Sequence, residues 1–376
     1  MVAIYIIVSI ISGIGLLGKV QLLDRVLHLP MVATVSLIAS GLCAPLFWRF
    51  ALRNRRPIAI LFVMGILASS LVVYPKVAAL HSIGRGSDQA DCIVVAAQKT
   101  SSLQWPYKRS FLWSGNPMSC GPGWVMLQSI FVRAAGYGIN LIIFWSVALF
   151  FIARTIGTQK TLSFLALLAF APGLWLCAWN GSDFLTFGIS IAALTLLILR
   201  GNRYRPFFIL IAAMVFQFRS PVAIMPGFLR KNVGFRTALM TGLIAIVFQV
   251  GFLMWDPLDY IESGPLYLIH KVLGASMSVG RPSVLIFYVS VSFVFGLCCA
   301  LWVGKRIDPA LSSLCFLMVF FGVPALLNLI SKLRDMGAIL PALGVWEGGV
   351  WLTACVPLAA LLAVERGSAQ IERRLG

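Results

Sequence analysis

Two carboxylates stand at the start of the longest polar segment in the chain. Asp88 and Asp91 are three residues apart, and this spacing projects both side chains from one face of a helix. Ser87 or Asp88 can cap that helix, which we expect to run to about Thr100, and the helix dipole favours ionised carboxylates in its first turn. An ionised carboxylate can take the proton of an alcohol, a step worth about 10² to 10⁴ in rate. On spacing alone the plainer interpretation is favoured, in which Asp88 is a cap and Asp91 a first-turn acid.

The polar segment, residues 86–123, continues with aromatic and basic side chains. Trp105, Tyr107, Lys108 and Asn116 follow the expected helix. Trp and Tyr suit the headgroup level of a bilayer and Lys can meet lipid phosphates, although an ordinary aromatic belt has the same composition. Residues 121–135 then predict an amphipathic helix lying in the interface, with the long Arg133 side chain reaching towards water.

Apolar runs must position this segment. The 376 residues are 60% hydrophobic and 11% charged, whereas soluble domains are about 25% charged. Runs of about 20 apolar residues, enough to cross a bilayer, recur from end to end. We therefore predict an all-α polytopic membrane protein, a single transmembrane domain over residues 1–376, with about ten full transmembrane helices and two short half-helices. The predicted apolar segments are 2–18, 31–50, 58–79, 137–154, 161–179, 183–200, 206–218, 220–229, 237–255, 283–303, 310–330 and 338–363.

The half-helices are 206–218 and 220–229. Each is too short to cross alone, and the chain is broken between them at Arg219, Ser220 and Pro221. Such breaks are expected where two half-helices meet inside a bundle.

Charge distribution predicts the orientation. Short loops rich in Lys and Arg stay cytoplasmic, and with the N-terminus inside, the only acids left inside are Asp308, Glu365 and Glu372. Both termini are then cytoplasmic, and the loops 80–136 and 256–282 and the turn 331–337 face outwards. The net charge of +18 does not indicate nucleic-acid binding, because the basic residues form short clusters between apolar runs and no basic domain.

Cysteine usage leaves one question open. Most of the eight cysteines lie in apolar runs, but Cys92 and Cys120 lie in the polar segment. They can pair if that segment faces an oxidising compartment, although the lack of a spacing motif favours free thiols. No cofactor is expected. No Cys or His set has the spacing of a metal site, and one pair of acids is weak support for a divalent cation.

The order of motifs resembles that of a known family. The outward loop contains SDQAD, AAQ, WPY, SGNP and GPG in turn, and Asn180–Pro226 contains a polar turn, a helix, a basic turn and then a broken helix with a cation before proline. With the even spread of helices to the C-terminus, this order is similar to that of the membrane-embedded C-type (GT-C) glycosyltransferases, particularly the mannosyltransferase-like branch that uses polyprenyl-phosphate sugars. The similarity covers about two-thirds of the chain. Two features depart from the family pattern: an additional hairpin at residues 2–50, and Arg219 where Lys is commoner.

The resemblance implies a glycosyltransferase that takes a sugar from a polyprenyl-phosphate donor. The sugar would pass to a lipid, glycan or protein acceptor on the outer face of a membrane, here a bacterial plasma membrane. Asp88 would be the catalytic base, and Asp91 would orient the acceptor or share a metal. Arg219, an intramembrane charge beside a helix break, would bind the donor phosphate. Further candidates for the phosphate are His270, Lys332 and Arg334, and candidates for the acceptor or loop are Trp105, Tyr107, Lys108, Asn116 and Asp183.

Two other hypotheses compete with the transferase. A transporter or lipid flippase would also use a broken helix with a buried charge. A carrier should show two similar halves, and no second stretch resembles Phe207–Pro226. A non-catalytic assembly subunit would tolerate the loss of Asp88.

Overall fold

A computed structural model of the chain describes residues 1–14, 39–80, 89–112, 114–115, 118–199, 205–218, 234–265, 294, 297–299, 301–302, 308–344 and 348–375. Over these residues the secondary structure is helical, without strands. In chain order the helices are α1 Val2–Gly13, α2 Trp48–Arg53, α3 Arg55–Ala79, α4 Gln89–Ser101, α5 Pro122–Ala135, α6 Tyr137–Ile156, α7 Thr158–Ala169, α8 Pro172–Asn180, α9 Asp183–Leu199, α10 Arg205–Val215, α11 Phe235–Trp255, α12 Pro257–Glu262, α13 Pro309–Met336, α14 Ile339–Gly344, α15 Gly348–Trp351 and α16 Val356–Leu375.

Several of these helices are long and apolar enough to cross a bilayer. Within the described part of the chain there are four, α3, α6, α11 and the stretch Gly349–Arg366, or five if α7 and α8 form one bent span. The predicted all-α fold is therefore confirmed, and its described part contains four or five helices that could cross a membrane. The predicted count of about ten spans is not confirmed. Of the remaining predicted segments, 220–229 lies outside the described residues, as do the first part of 31–50, residues 31–38, and most of 283–303.

Proline and glycine account for two differences from the predicted elements. The predicted span 161–179 is two helices, α7 and α8, bent by 78°, because Pro172 begins α8 and cannot continue the preceding hydrogen-bond ladder. The predicted outward turn 331–337 is mostly helix, since α13 continues to Met336 and ends at Gly337 with a positive φ of 66°. The start of α13 follows the usual capping rule: the Asp308 carboxylate accepts from the backbone N–H of Ala310 at 2.6 Å.

The described chain forms two compact units. The first unit comprises Met1–Ala79, Leu141–Ala193 and Phe320–Gly376. Its core contains Phe62, whose ring lies 5.8 Å from the Trp145 ring and 5.4 Å from the Trp175 ring, both edge to face. Small residues allow close helix approach elsewhere in this unit: a β-carbon on Gly13 would collide with Pro172. Such contacts are typical of helix packing in membranes, where small residues let backbones approach.

The second unit comprises Leu80–Asn140 and Leu194–Val319 and contains the polar segment. Here α4 packs along α5, α5 also contacts α10 and α11, and α12 packs against the end of α11. The prediction of a helix ending near Thr100 is confirmed by α4, and the prediction of a helix over 121–135 is confirmed by α5. Most of α5 is buried in protein, including Trp124, Gln128 and Val132. It therefore serves as a packing element of this unit, with Ile130 and Arg133 among its exposed residues.

Candidate functional site

A disulfide joins the two helices of the polar segment. Cys92, in the first turns of α4, pairs with Cys120, which lies just before α5, with a Cα–Cα separation of 6.7 Å. The expectation of free thiols is therefore corrected: the chain folds back so that residues 28 apart in sequence meet. Asp91 directly precedes this bridge and is partly exposed in the first turn of α4. The bridge thus fixes the helix start that carries the carboxylate.

The segment between the helices is built around Tyr107. This side chain is fully buried, and its hydroxyl donates to the backbone carbonyl of Cys120 at 3.0 Å. Trp105 packs edge to face against it at 5.5 Å and donates its indole N–H to the Tyr107 carbonyl at 3.0 Å. Both rings also contact Phe252 and Tyr260. This aromatic cluster holds the WPY motif in place.

A hydrogen-bond chain through two glutamine side chains links Tyr260 to the start of α5. The Tyr260 hydroxyl donates to Gln249, whose amide donates to Gln217 Oε1 at 3.2 Å. The same Gln217 oxygen accepts from the backbone N–H of Gly123 at 3.2 Å. Burial raises the pKa of the Tyr260 hydroxyl, so this group stays a hydrogen-bond donor. These hydrogen bonds hold Gln217, in the turn that follows α10, against the start of α5.

The glycines of the GPG motif are required by this contact. The backbone N–H of Gly121 donates to the Phe218 carbonyl at 3.4 Å. A β-carbon on Gly121 would collide with the Gln217 carbonyl oxygen, and one on Gly123 would lie 2.6 Å from the Gln217 side-chain nitrogen. Since only glycine permits such an approach, the motif marks a packing position.

Charged residues of the loop pair with the segment after α11. The Lys108 ammonium lies 3.9 Å from the Asp259 carboxylate, and the Arg109 guanidinium donates twice to the Glu262 carbonyl, at 2.9 and 3.2 Å. Burial, assisted by the nearby Asp256, raises the pKa of the Asp259 carboxyl above its usual range, although Lys108 opposes this shift. These contacts dock α12 onto the loop.

Comparison of the chain with protein-family models, with curated proteins and with solved structures found no match. Any function proposed for the chain therefore rests on the geometry of its described residues and on the motifs of its sequence.

The structure brings some of the predicted site residues together and separates others by unit. Asp91, Trp105, Tyr107 and Lys108 belong to the second unit and line one stapled loop. Asp183 and Lys332 belong to the first unit. The predicted site residues that lie outside the described residues, or whose side chains do, are Asp88, Asn116, Arg219, His270 and Arg334.

Asp183 occupies a buried polar cluster of the first unit. It is almost fully buried in the first turn of α9 and lies near the Cys177 thiol. The Ser182 and Thr353 hydroxyls lie beside the same thiol, and neither has a well-aligned hydrogen-bond partner within the described residues. Over the same part of the chain, no group of three or more His, Cys, Asp or Glu side chains is close enough to hold a metal ion.

The amides were missed at the sequence level. Gln217 and Gln249 each interrupt a strongly apolar run, in MVFQF and IVFQV. A polar side chain inside an apolar helix must find a partner there, so these two residues carried a signal that pairing was to be expected. Their partner Tyr260 and the pairing of Lys108 with Asp259 required the fold.

Proposed function

We propose that this chain is a membrane glycosyltransferase that moves a sugar from a polyprenyl-phosphate donor to a lipid, glycan or protein acceptor on the extracytoplasmic face. The observation that carries the proposal is the position of Asp91. It lies in the first turn of a helix, partly exposed, directly beside a disulfide that locks that helix to its neighbour. A carboxylate that orients an acceptor needs this kind of fixed placement, since a misplacement of about 1 Å can cost about 10²-fold in rate.

The disulfide also supports the outward orientation of the loop. Disulfides persist in oxidising compartments such as the periplasm or cell exterior and are rare in the cytosol. A loop closed by the Cys92–Cys120 disulfide therefore suits the extracytoplasmic face of the membrane. That is the face on which the GT-C enzymes that this chain resembles use polyprenyl-phosphate sugars.

The roles within the second unit follow from the family resemblance and, for Asp91, from its partial exposure. Asp88, three residues before Asp91 in the sequence, is assigned as the base that deprotonates the acceptor hydroxyl, and Asp91 as the group that orients the acceptor. Arg219 and His270 are assigned to the donor phosphate. Tyr107 is buried and engaged with the Cys120 carbonyl, so we assign it to holding the loop and leave acceptor contact to exposed groups.

A carrier or flippase is the second candidate, and one observation favours it. The α7–α8 pair is bent by 78°, and the first unit contains the buried Asp183 with the Ser182 and Thr353 hydroxyls beside Cys177. Broken helices with buried polar groups mark the substrate sites of many transporters. On this hypothesis the first unit would carry the function.

The decisive experiment compares carboxamide variants of the two units. Membranes containing Asp88→Asn, Asp91→Asn or Asp183→Asn protein would be assayed for transfer of radiolabelled sugar from a polyprenyl-phosphate donor to endogenous acceptors. We expect Asp88→Asn to reduce transfer by about 10² to 10⁴ with an unchanged protein level and an intact disulfide.

Asp308→Asn is the matched control, because it removes the same charge but keeps the oxygen that caps α13. Full transfer by Asp88→Asn would refute the base assignment. The carrier would be favoured by two results together: the wild type transfers no sugar, and of the three variants only Asp183→Asn loses lipid translocation in proteoliposomes.

A further inference from the structure

One face of α11 exposes an unbroken apolar stripe. Only 22% of the most apolar 18-residue window of this helix is buried. The exposed residues recur at intervals of three or four, which places them on one face. They are Phe235, Leu239, Leu243, Ile246, Val250 and Met254. Since 21 residues at about 1.5 Å each span the roughly 30 Å of a hydrocarbon core, this face suits direct contact with lipid.

The stripe continues beyond the end of α11. Trp255, the last residue of that helix, is about half exposed, and Asp256 then turns the chain with extended φ and ψ of −149° and 93°. The Asp256 carboxylate accepts from the Asp259 N–H at 3.1 Å and starts α12. On α12, Leu258 is 73% exposed and Ile261, one turn later, is 37% exposed. The apolar surface therefore passes from a membrane-length helix onto a short helix that runs in a new direction.

The opposite side of α12 is tied to the polar loop. Tyr260 is buried in the aromatic cluster, Asp259 faces Lys108 at 3.9 Å, and the Ser263 carbonyl accepts from the Met118 N–H at 2.7 Å. Asp259 and Tyr260 therefore face the loop, whereas Leu258 and Ile261 are exposed on the other side, where the exposed Glu262 follows Leu258 by one turn. Short helices with this division lie in the membrane interface, with Trp at the headgroup level.

We propose that α12 is an interfacial anchor: Leu258 and Ile261 insert among lipid acyl chains, and α12 thereby holds the disulfide-stapled loop at the headgroup level. The occupant of this surface is the bilayer, because the surface is continuous with the exposed stripe of α11. The proposal depends on the membrane setting of α11 and is independent of sugar transfer.

Site-specific photo-crosslinking of the full-length protein in phospholipid nanodiscs tests this placement. The photoreactive residue p-benzoylphenylalanine would replace Leu258 or Ile261, one at a time, with Val247 on the exposed surface of α11 as the positive control. Each position is exposed, so the bulky group is tolerated without repacking a core. After irradiation, mass spectrometry of the peptides detects an added phospholipid.

We expect lipid adducts at positions 258 and 261 in a yield similar to that at 247. Two results would overturn the proposal. One is an absence of lipid adducts at 258 while 247 reacts. The other is a covalent dimer of the chain at 258, which would make the surface an interface between copies.

Discussion

Removal of the Cys92–Cys120 disulfide should destabilise the second unit by about 3.6 kcal/mol. The two residues are 28 apart in sequence. Closing a loop of that length removes about 12 cal/mol/K of entropy from the unfolded chain, which corresponds to about 3.6 kcal/mol of folding free energy at 25 °C. In a domain of roughly 200 residues this loss lowers the melting temperature by about 7 to 14 °C. The perturbation is the double variant Cys92→Ala/Cys120→Ala, purified in the same detergent as the wild type.

Thermal unfolding followed by intrinsic fluorescence measures the change, and reduction of the wild type should reproduce it. The matched control is Cys43→Ala/Cys298→Ala, because both of these cysteines are exposed and unpaired. Alkylation of denatured, unreduced wild-type protein should modify the six free cysteines. Modification of all eight, or equal melting temperatures for the double variant and the wild type, would show that the bridge does not organise the loop.

Three further predictions concern the second unit. Gly121→Ala should destabilise it by about 1 to 3 kcal/mol, because the added carbon collides with the Gln217 carbonyl, whereas Gly242→Ala, with open space around it, should be neutral or stabilising in the same melt. Asp259→Asn should raise the melting temperature at pH 7, because the raised pKa of Asp259 means that its ionised form costs folding energy. The gain should vanish as the pH falls below about 3, where Asp is protonated in both the folded and the unfolded state. Leu103→Gly should stabilise by about 1 kcal/mol, since Leu103 has a φ of 55° and is 85% exposed; destabilisation in the melt would contradict this.

The parts of the fold that depend on local pattern were predictable. A capping residue at position 87 or 88 predicted α4, and the apolar run at 237–255 predicted α11 to within two residues of its start. The bend between α7 and α8 was not predicted, although Pro172 marks it, because the apolar run 161–179 continues across it without a charged residue. The hydropathy of a run predicts the length of an apolar segment, whereas the bend within this segment depends on the single residue Pro172.

The contacts of the site depended on distant parts of the chain. The disulfide, the pairing of Lys108 with Asp259 and the contact of Gln217 with Gly123 join residues separated by 28, 151 and 94 positions, respectively. No spacing rule covers such pairs in one sequence. The motifs WPY and GPG were identified in the sequence. In the structure, WPY contains the buried Tyr107, and the glycines of GPG allow close contact with Gln217.

Four cations of the loop that the structure describes already contact other parts of the protein. Lys99 donates to Gln104 at 2.9 Å and lies 4.9 Å from the centroid of the Phe111 ring. Arg133 donates to the Ser101 carbonyl at 2.6 Å, and Lys108 and Arg109 dock α12. A phosphate that recruited any of these side chains would have to displace a contact that holds the loop together. On the proposed function, the donor phosphate would therefore be held by cations other than these four.

Cations that hold the loop and cations that bind the donor should therefore respond differently to substitution. Lys108→Gln removes the partner of Asp259 and should lower the melting temperature slightly, since such a partly exposed pair is worth about 0 to 1 kcal/mol, with the KM for the polyprenyl-phosphate donor unchanged. Arg219→Gln should raise that KM by about tenfold or more, because a charge-assisted hydrogen bond to phosphate contributes roughly 1.5 to 3 kcal/mol, and Arg219→Lys should recover part of the loss. If Lys108→Gln instead raised the KM while Arg219→Gln left it unchanged, the donor phosphate would bind at the loop, and the separation of roles between the two cations would be wrong.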